Sequence, residues 1–121
     1  MAKILVVEDD DSVRTLLARV LQGNGHHVEQ ASDGAQGLSC IERAAAGYDL
    51  VVSDIRMPEM DGIEMSKAAA RRFPGLRILL ITAYAEQRER AEELNGIVFD
   101  VMLKPFALAE LRMHVAKALA A

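Results

Sequence analysis

A chain of 121 residues is one domain's length, and its 18 acidic against 14 basic residues leave a net charge of −4, a poor surface for neutralising nucleic-acid phosphates. With 51% hydrophobic and 26% charged residues it has the composition of a folded globule, not of a disordered chain. The single cysteine, Cys40, excludes an internal disulfide, and without a second thiol it builds neither a thiolate zinc cage nor a dithiol redox pair.

The apolar run Ile4 to Val7 is a buried strand, too short for a signal-peptide core. Val13, Leu16, Leu17, Val20 and Leu21 then recur at helical spacing. Val28 to Ala31 is a second strand, followed by a helix from Gly34 to Ala46 with Leu38, Ile41 and Ala45 on one face. Asp49 to Ser53 is the third strand, and Gly62 to Arg72 the third helix after a loop holding Pro58. Arg77 to Ile81 makes the fourth strand and Glu86 to Asn95 a weakly amphipathic helix closed by Gly96. Ile97 to Leu103 is the fifth strand, and the last helix starts at Leu108 with Leu111, Val115 and Leu119 inward. Gly23, Gly47, Gly75 and Gly96 fall near helix ends, where a left-handed residue is cheap. Strands apolar enough to be covered on both faces, alternating with helices, predict a parallel three-layer α/β sheet. No run reaches membrane-spanning length, so a cytoplasmic protein without nucleic-acid or membrane partners is expected.

In such a sheet ligands bind beyond the carboxyl ends of the strands. Strand 1 ends in Glu8-Asp9-Asp10-Asp11, strand 3 in Asp54, strand 4 in Thr82, and strand 5 in Lys104-Pro105. Carboxylates crowded from two strand ends repel unless a cation lies between them. Mg²⁺ suits the site, because it binds through one or two carboxylates and leaves room for phosphate oxygens. Thr82 then donates to an incoming phosphoryl oxygen, Lys104 supplies compact positive charge, and Asp54 is the natural nucleophile.

The strings Ile4-Leu5-Val6-Val7-Glu8-Asp9-Asp10 and Asp54-Ile55-Arg56-Met57-Pro58-Glu59-Met60-Asp61-Gly62, with Thr82-Ala83 and Lys104-Pro105-Phe106, together resemble the receiver domain of two-component response regulators. The resemblance implies a flavodoxin-like sheet of order 2-1-3-4-5 with five helices, an order known for receivers. It also implies phosphorylation of Asp54 by a histidine kinase or histidine phosphotransferase, and a cis Lys104-Pro105 bond. Mg²⁺ would be held by Asp9, Asp54 and the backbone carbonyl of Arg56, with Glu8 nearby. Where most receivers carry an aromatic residue or His three positions before the lysine, this chain has Val101. Tyr84 stands where family members tune phosphoryl access and partner docking, and Pro105 and Phe106 adjoin that switch region.

With residues 1–121 read as one receiver domain and no effector domain, output goes through a protein partner. The combination is similar to the CpdR-like single-domain regulators, which prime the ClpXP protease in cell-cycle control; ClpX is the implied partner. Leu119-Ala120-Ala121 reads either as an alanine-rich helix end or, by resemblance, as a tag that ClpX-type unfoldases engage.

Other readings stay open. A phosphorelay intermediate or a pseudo-receiver that keeps the fold without phosphorylation fits the same pattern. Asp9-x-Asp11-x-Val13 formally resembles the opening motif of haloacid-dehalogenase-like phosphatases, but the chain has no Gly-Asp dipeptide for their second acidic motif. Asp10 and Asp11 read as first-turn helix acids, His26, His27 and His114 as surface histidines, Cys40 as a small buried hydrophobe, and Met57 and Met60 as loop packing.

Overall fold

The computed structural model describes every residue except Ala46, Glu93 and Asn95. Its elements are β1 (Lys3–Val7), α1 (Asp11–Gly23), β2 (His27–Ala31), α2 (Gly34–Arg43), β3 (Leu50–Asp54), α3 (Gly62–Arg72), β4 (Ile78–Thr82), α4 (Ala85–Glu92), β5 (Asp100–Leu103) and α5 (Leu108–Ala120). The strands form one parallel sheet in the order β2-β1-β3-β4-β5, the predicted flavodoxin-like arrangement.

Alternation along the strands splits the core in two. Leu5, Val7, Val51, Ile78 and Leu80 face Ile41, Ile63, Met65 and Ala91 of α2, α3 and α4. Ile4, Val6, Val52, Leu79 and Ile81 face Leu17, Leu21, Leu111 and Val115 of α1 and α5. The three central strands are therefore covered on both sides, which is why they read as unbroken apolar runs.

Three helices start on aspartate caps. Asp10 accepts hydrogen bonds from the Ser12 and Val13 amides, Asp33 from Gln36, and Asp61 forms a capping box with Glu64. Asp11 pairs with Arg14 one turn on. By contrast α4 is short and polar: among its described residues Ala91 alone is buried. Its Arg90 guanidinium lies 3.5 Å from the Asp61 carboxylate, tying it to the start of α3.

Several boundaries depart from the sequence reading. The fifth strand begins at Asp100, not Ile97, because the Ile97 and Val98 amides turn back to bond the Leu94 carbonyl. These apolar residues pack on the core as a loop. β3 and β4 each run one residue further than expected, through Asp54 and Thr82, while Asp49 lies before β3 with its carboxylate accepting the Lys3 amide. α2 ends at Arg43, and Ala45 lies beyond it, exposed and at φ 50°; the expected last residue, Ala46, is outside the described residues. Likewise α4 starts at Ala85, and Glu93 and Asn95 of the expected helix lie outside the described residues.

Of the four glycines expected to close helices, only Gly96 has a positive φ; Gly25 takes that conformation after α1, in place of Gly23. Leu16, expected inward, is 50% exposed. His26 is not a free surface histidine: it is half-buried, and its Nδ1 accepts a hydrogen bond from the Ala2 amide. His114 is half-buried as well, with Nδ1 3.2 Å from an Asp100 carboxylate oxygen, whereas His27 is exposed. Met57 is buried in the core and Met60 packs against it, as does half-buried Cys40.

Candidate functional site

Parallel strands deliver their last residues to one edge, and β1, β3, β4 and β5 bring Glu8, Asp9, Asp54, Thr82 and Lys104 there. Glu8 is 1% exposed and Thr82 fully buried, unusual surroundings for polar groups unless they are bonded. They are. The Lys104 ammonium lies 3.1 Å from Glu8 Oε1 and 3.1 Å from Asp54 Oδ2, bridging the two acids. The Asp10 amide donates to the other Glu8 oxygen, and the Ile55 amide donates to Asp54 Oδ1 at 2.8 Å. The Arg14 guanidinium donates to the Glu8 carbonyl, so α1 also braces the end of β1.

Backbone contacts fix the rest. The Lys104 amide bonds the Thr82 carbonyl, and Lys104-Pro105 is cis, as expected. Thr82 Oγ1 accepts the Tyr84 amide, leaving its own hydroxyl proton free to donate. Beyond Asp54 the chain folds back so tightly that the Gly62 amide bonds the Ile55 carbonyl at 2.7 Å. A Cβ on Gly62 would lie 2.4 Å from the Asp54 carbonyl oxygen, so only glycine permits α3 to start this close to the site.

Oxygens of Glu8, Asp9 and Asp54 all lie within 4.8 Å of one another. Asp9 is exposed, yet partial desolvation, then the hydrogen bond and charge of Glu8, hold its carboxyl above the ordinary value. Burial alone would lower the Lys104 ammonium, but the Asp54 charge and the bonds to Glu8 and Asp54 outweigh it and raise it. Three carboxylates facing one ammonium leave a surplus of negative charge that a hard divalent cation relieves, and the all-oxygen donor set suits Mg²⁺.

The remaining sequence candidates lie around this pocket or away from it. The Arg56 guanidinium lies over the Tyr84 ring, 4.8 Å from its centroid. That pairing was not foreseen, and only the matching offset of the two residues, each two past a site residue, hints at it. Val101 is half-buried and packs on the core, and Phe106 packs against the opposite core face. Leu119 to Ala121 are at the far end of α5, where the Arg77 guanidinium donates to the Leu119 and Ala121 carbonyls.

Residues 4–116 match the family model of the response regulator receiver domain. The response regulator MprA of Mycolicibacterium vanbaalenii is 42% identical over 109 residues, 90% of this chain and 46% of that protein. The sensor kinase CckA of Brucella abortus is 34% identical over 114 residues, 94% of this chain and 12% of that protein. This chain therefore spans less than half the length of either relative. Among solved structures, the response regulator TrrA of Thermotoga maritima, in complex with Mg²⁺ and BeF, superposes with a TM-score of 0.86 at 31% identity, covering 98% of this chain and 99% of that one.

Proposed function

The chain belongs to the response regulator receiver family, and on that premise we propose that it takes a phosphoryl group on Asp54 from a histidine kinase or histidine phosphotransferase and signals to a protein partner. Receiver domains are signalling phosphoacceptors that bind Mg²⁺ at an acidic site. The observation that carries the reading is the Lys104 ammonium held 3.1 Å from both Glu8 and Asp54 at the strand edge.

A carboxylate oxygen of Asp54 attacks phosphorus as the bond to the donor nitrogen breaks, and the imidazole leaves with the electron pair. Asp9, Asp54 and the Arg56 carbonyl, beside Glu8, would hold Mg²⁺, which would supply positive charge against the transferring phosphoryl oxygens. The Thr82 hydroxyl donates to one such oxygen and Lys104 balances another. The Ile55 amide orients the nucleophile through Oδ1. Tyr84, Val101, Pro105 and Phe106 form the region through which the state of Asp54 is read.

The finer reading is a CpdR-like adaptor that primes ClpXP; its support is the combination of Tyr84, Val101 and Lys104-Pro105-Phe106 in the sequence. Intact mass after incubation with acetyl phosphate and Mg²⁺ tests the acceptor: one phosphoryl group is expected on the wild type and none on Asp54→Asn. Equal gain in both removes Asp54 from the role. No gain in either favours a pseudo-receiver. Binding of purified ClpX, present before and lost after phosphorylation, tests the partner.

A further inference from the structure

At the end of the sheet opposite Asp54, where β4 and β5 begin, two hollows run into one another. The first, of about 480 Å³, lies between the second half of α3 and the segment ahead of β5, with Ala70, Pro74, Leu94 and Ile97 in its lining. The second, of about 330 Å³, shares Pro74, Gly96 and Ile97 and continues past Leu76 to Phe99. Leu76 and Leu94 are buried beneath, and Phe99 leaves 40% of its surface in water.

The described lining of this groove is cationic on an acidic chain. Its lining carries Lys67, Arg71 and Arg77 and, among the described residues, no carboxylate, on a chain of net charge −4. Lys67 and Arg71 are one turn apart on α3, both exposed, and neither is ion-paired among the described residues. Arg77 is spoken for in part by the carbonyls at the end of α5.

We propose that this groove docks a short acidic, amphipathic segment of a partner protein, its apolar side chains entering the hollows beside Pro74 and Ile97 and its carboxylates meeting Lys67 and Arg71. Charge complementarity selects that occupant. A basic segment meets like charge at Lys67 and Arg71, which no carboxylate pairs among the described residues, and a second copy of this chain is an outcome of the test. The site is separate from Asp54, so binding does not depend on the phosphoryl reading.

The test is a ¹H–¹⁵N titration of the whole chain with the synthetic peptide Asp-Glu-Leu-Asp-Phe-Leu-Glu-Glu and with its counterpart bearing Lys at every acidic position. Saturable shifts are expected for residues 67–77 and 94–99 with the acidic peptide alone, weakening as salt is raised. Lys67→Glu with Arg71→Glu, both surface changes that leave the fold intact by circular dichroism, should weaken binding by at least about tenfold. Shifts elsewhere, no saturable shifts, or equal binding of both peptides overturns the proposal. So does concentration-dependent shifting of the groove without peptide, which makes a second copy the occupant.

Discussion

The Arg56 guanidinium stacks on the Tyr84 ring at 4.8 Å, joining the loop that follows Asp54 to the loop that follows Thr82. The contact is exposed at Tyr84 and contributes about 0.5–1 kcal/mol, enough to bias two loops without locking them. Because it links both loops of the pocket to the start of α4, phosphorylation should change amide exchange over residues 83–92 more than along β5. Tyr84→Ala should uncouple that response while lowering the melting temperature by only a few degrees. Changes confined to Phe99 through Met102 would instead assign the response to β5, where Val101 packs on the core.

Lys104 is the lone ammonium between two acids, so Lys104→Met leaves the Glu8 and Asp54 carboxylates facing each other. Removing one partner of a fully buried pair costs several kcal/mol, but the Lys104 side chain is 26% exposed and water screens the remainder to about 1–2 kcal/mol. Thermal melts without metal should show that loss, and Mg²⁺ should return part of it. Since the ammonium is raised, its contribution is fully present below about pH 10.5 and fades only as pH climbs through the higher folded value. The effect is therefore constant through neutral pH. A melting temperature unaffected by the substitution would show that the acids are not held apart by Lys104.

Asp9 behaves in the opposite sense. Its carboxyl is raised by partial desolvation and by Glu8, so the folded state binds a proton more readily than the unfolded chain and the ionised form is a burden above that range. Asp9→Asn should raise the metal-free melting temperature and abolish most of the stabilisation by Mg²⁺, which for a ligand at a hundredfold excess over its Kd is about 2.7 kcal/mol. Melts over a Mg²⁺ series decide it. An unchanged Mg²⁺ response places the metal elsewhere.

On the far edge of the sheet the Tyr48 hydroxyl donates to Glu29 at 2.6 Å. This bond, helped by the Lys3 charge and opposed by partial burial, lowers the Glu29 carboxyl, while Tyr48's own burial and the same bond push its phenol far up. A lowered acid stabilises above its unfolded value of about 4.3 and loses that contribution as pH falls through the folded value. Tyr48→Phe should cost about 1 kcal/mol at pH 7, discounted for the exposure of Glu29, and the cost should vanish in strong acid. An equal loss at pH 2.5 and pH 7 would mean that the ring's packing, not its hydroxyl, carries the effect.

The convergence of Glu8, Asp54, Thr82 and Lys104 was legible because parallel strands impose it: whatever ends a buried apolar run arrives at the same edge. What the sequence concealed is side-chain choice among available partners. Nothing in it says that Lys104 bridges both Glu8 and Asp54, or that Arg56 turns to Tyr84. The β5 boundary was misplaced for a different reason. Ile97 and Val98 are as apolar as a strand, and an apolar run does not reveal whether it is buried as a ladder or as a loop. Ala45 shows the limit of punctuation by glycine, since a turn held by the Ala45 amide on the Glu42 carbonyl tolerates alanine at φ 50°.

The contrast between α4 and the sheet beneath it makes dissolved salt a selective agent. β1, β3 and β4 are held by apolar burial that added ions leave intact, whereas α4 leans on Arg90 to Asp61, half-exposed at its cationic end. At physiological ionic strength the Debye length is about 8 Å and shortens to about 3 Å at molar salt. Concentrating the surrounding electrolyte therefore weakens the tie that holds one helix and leaves the apolar burial of the sheet beneath it untouched.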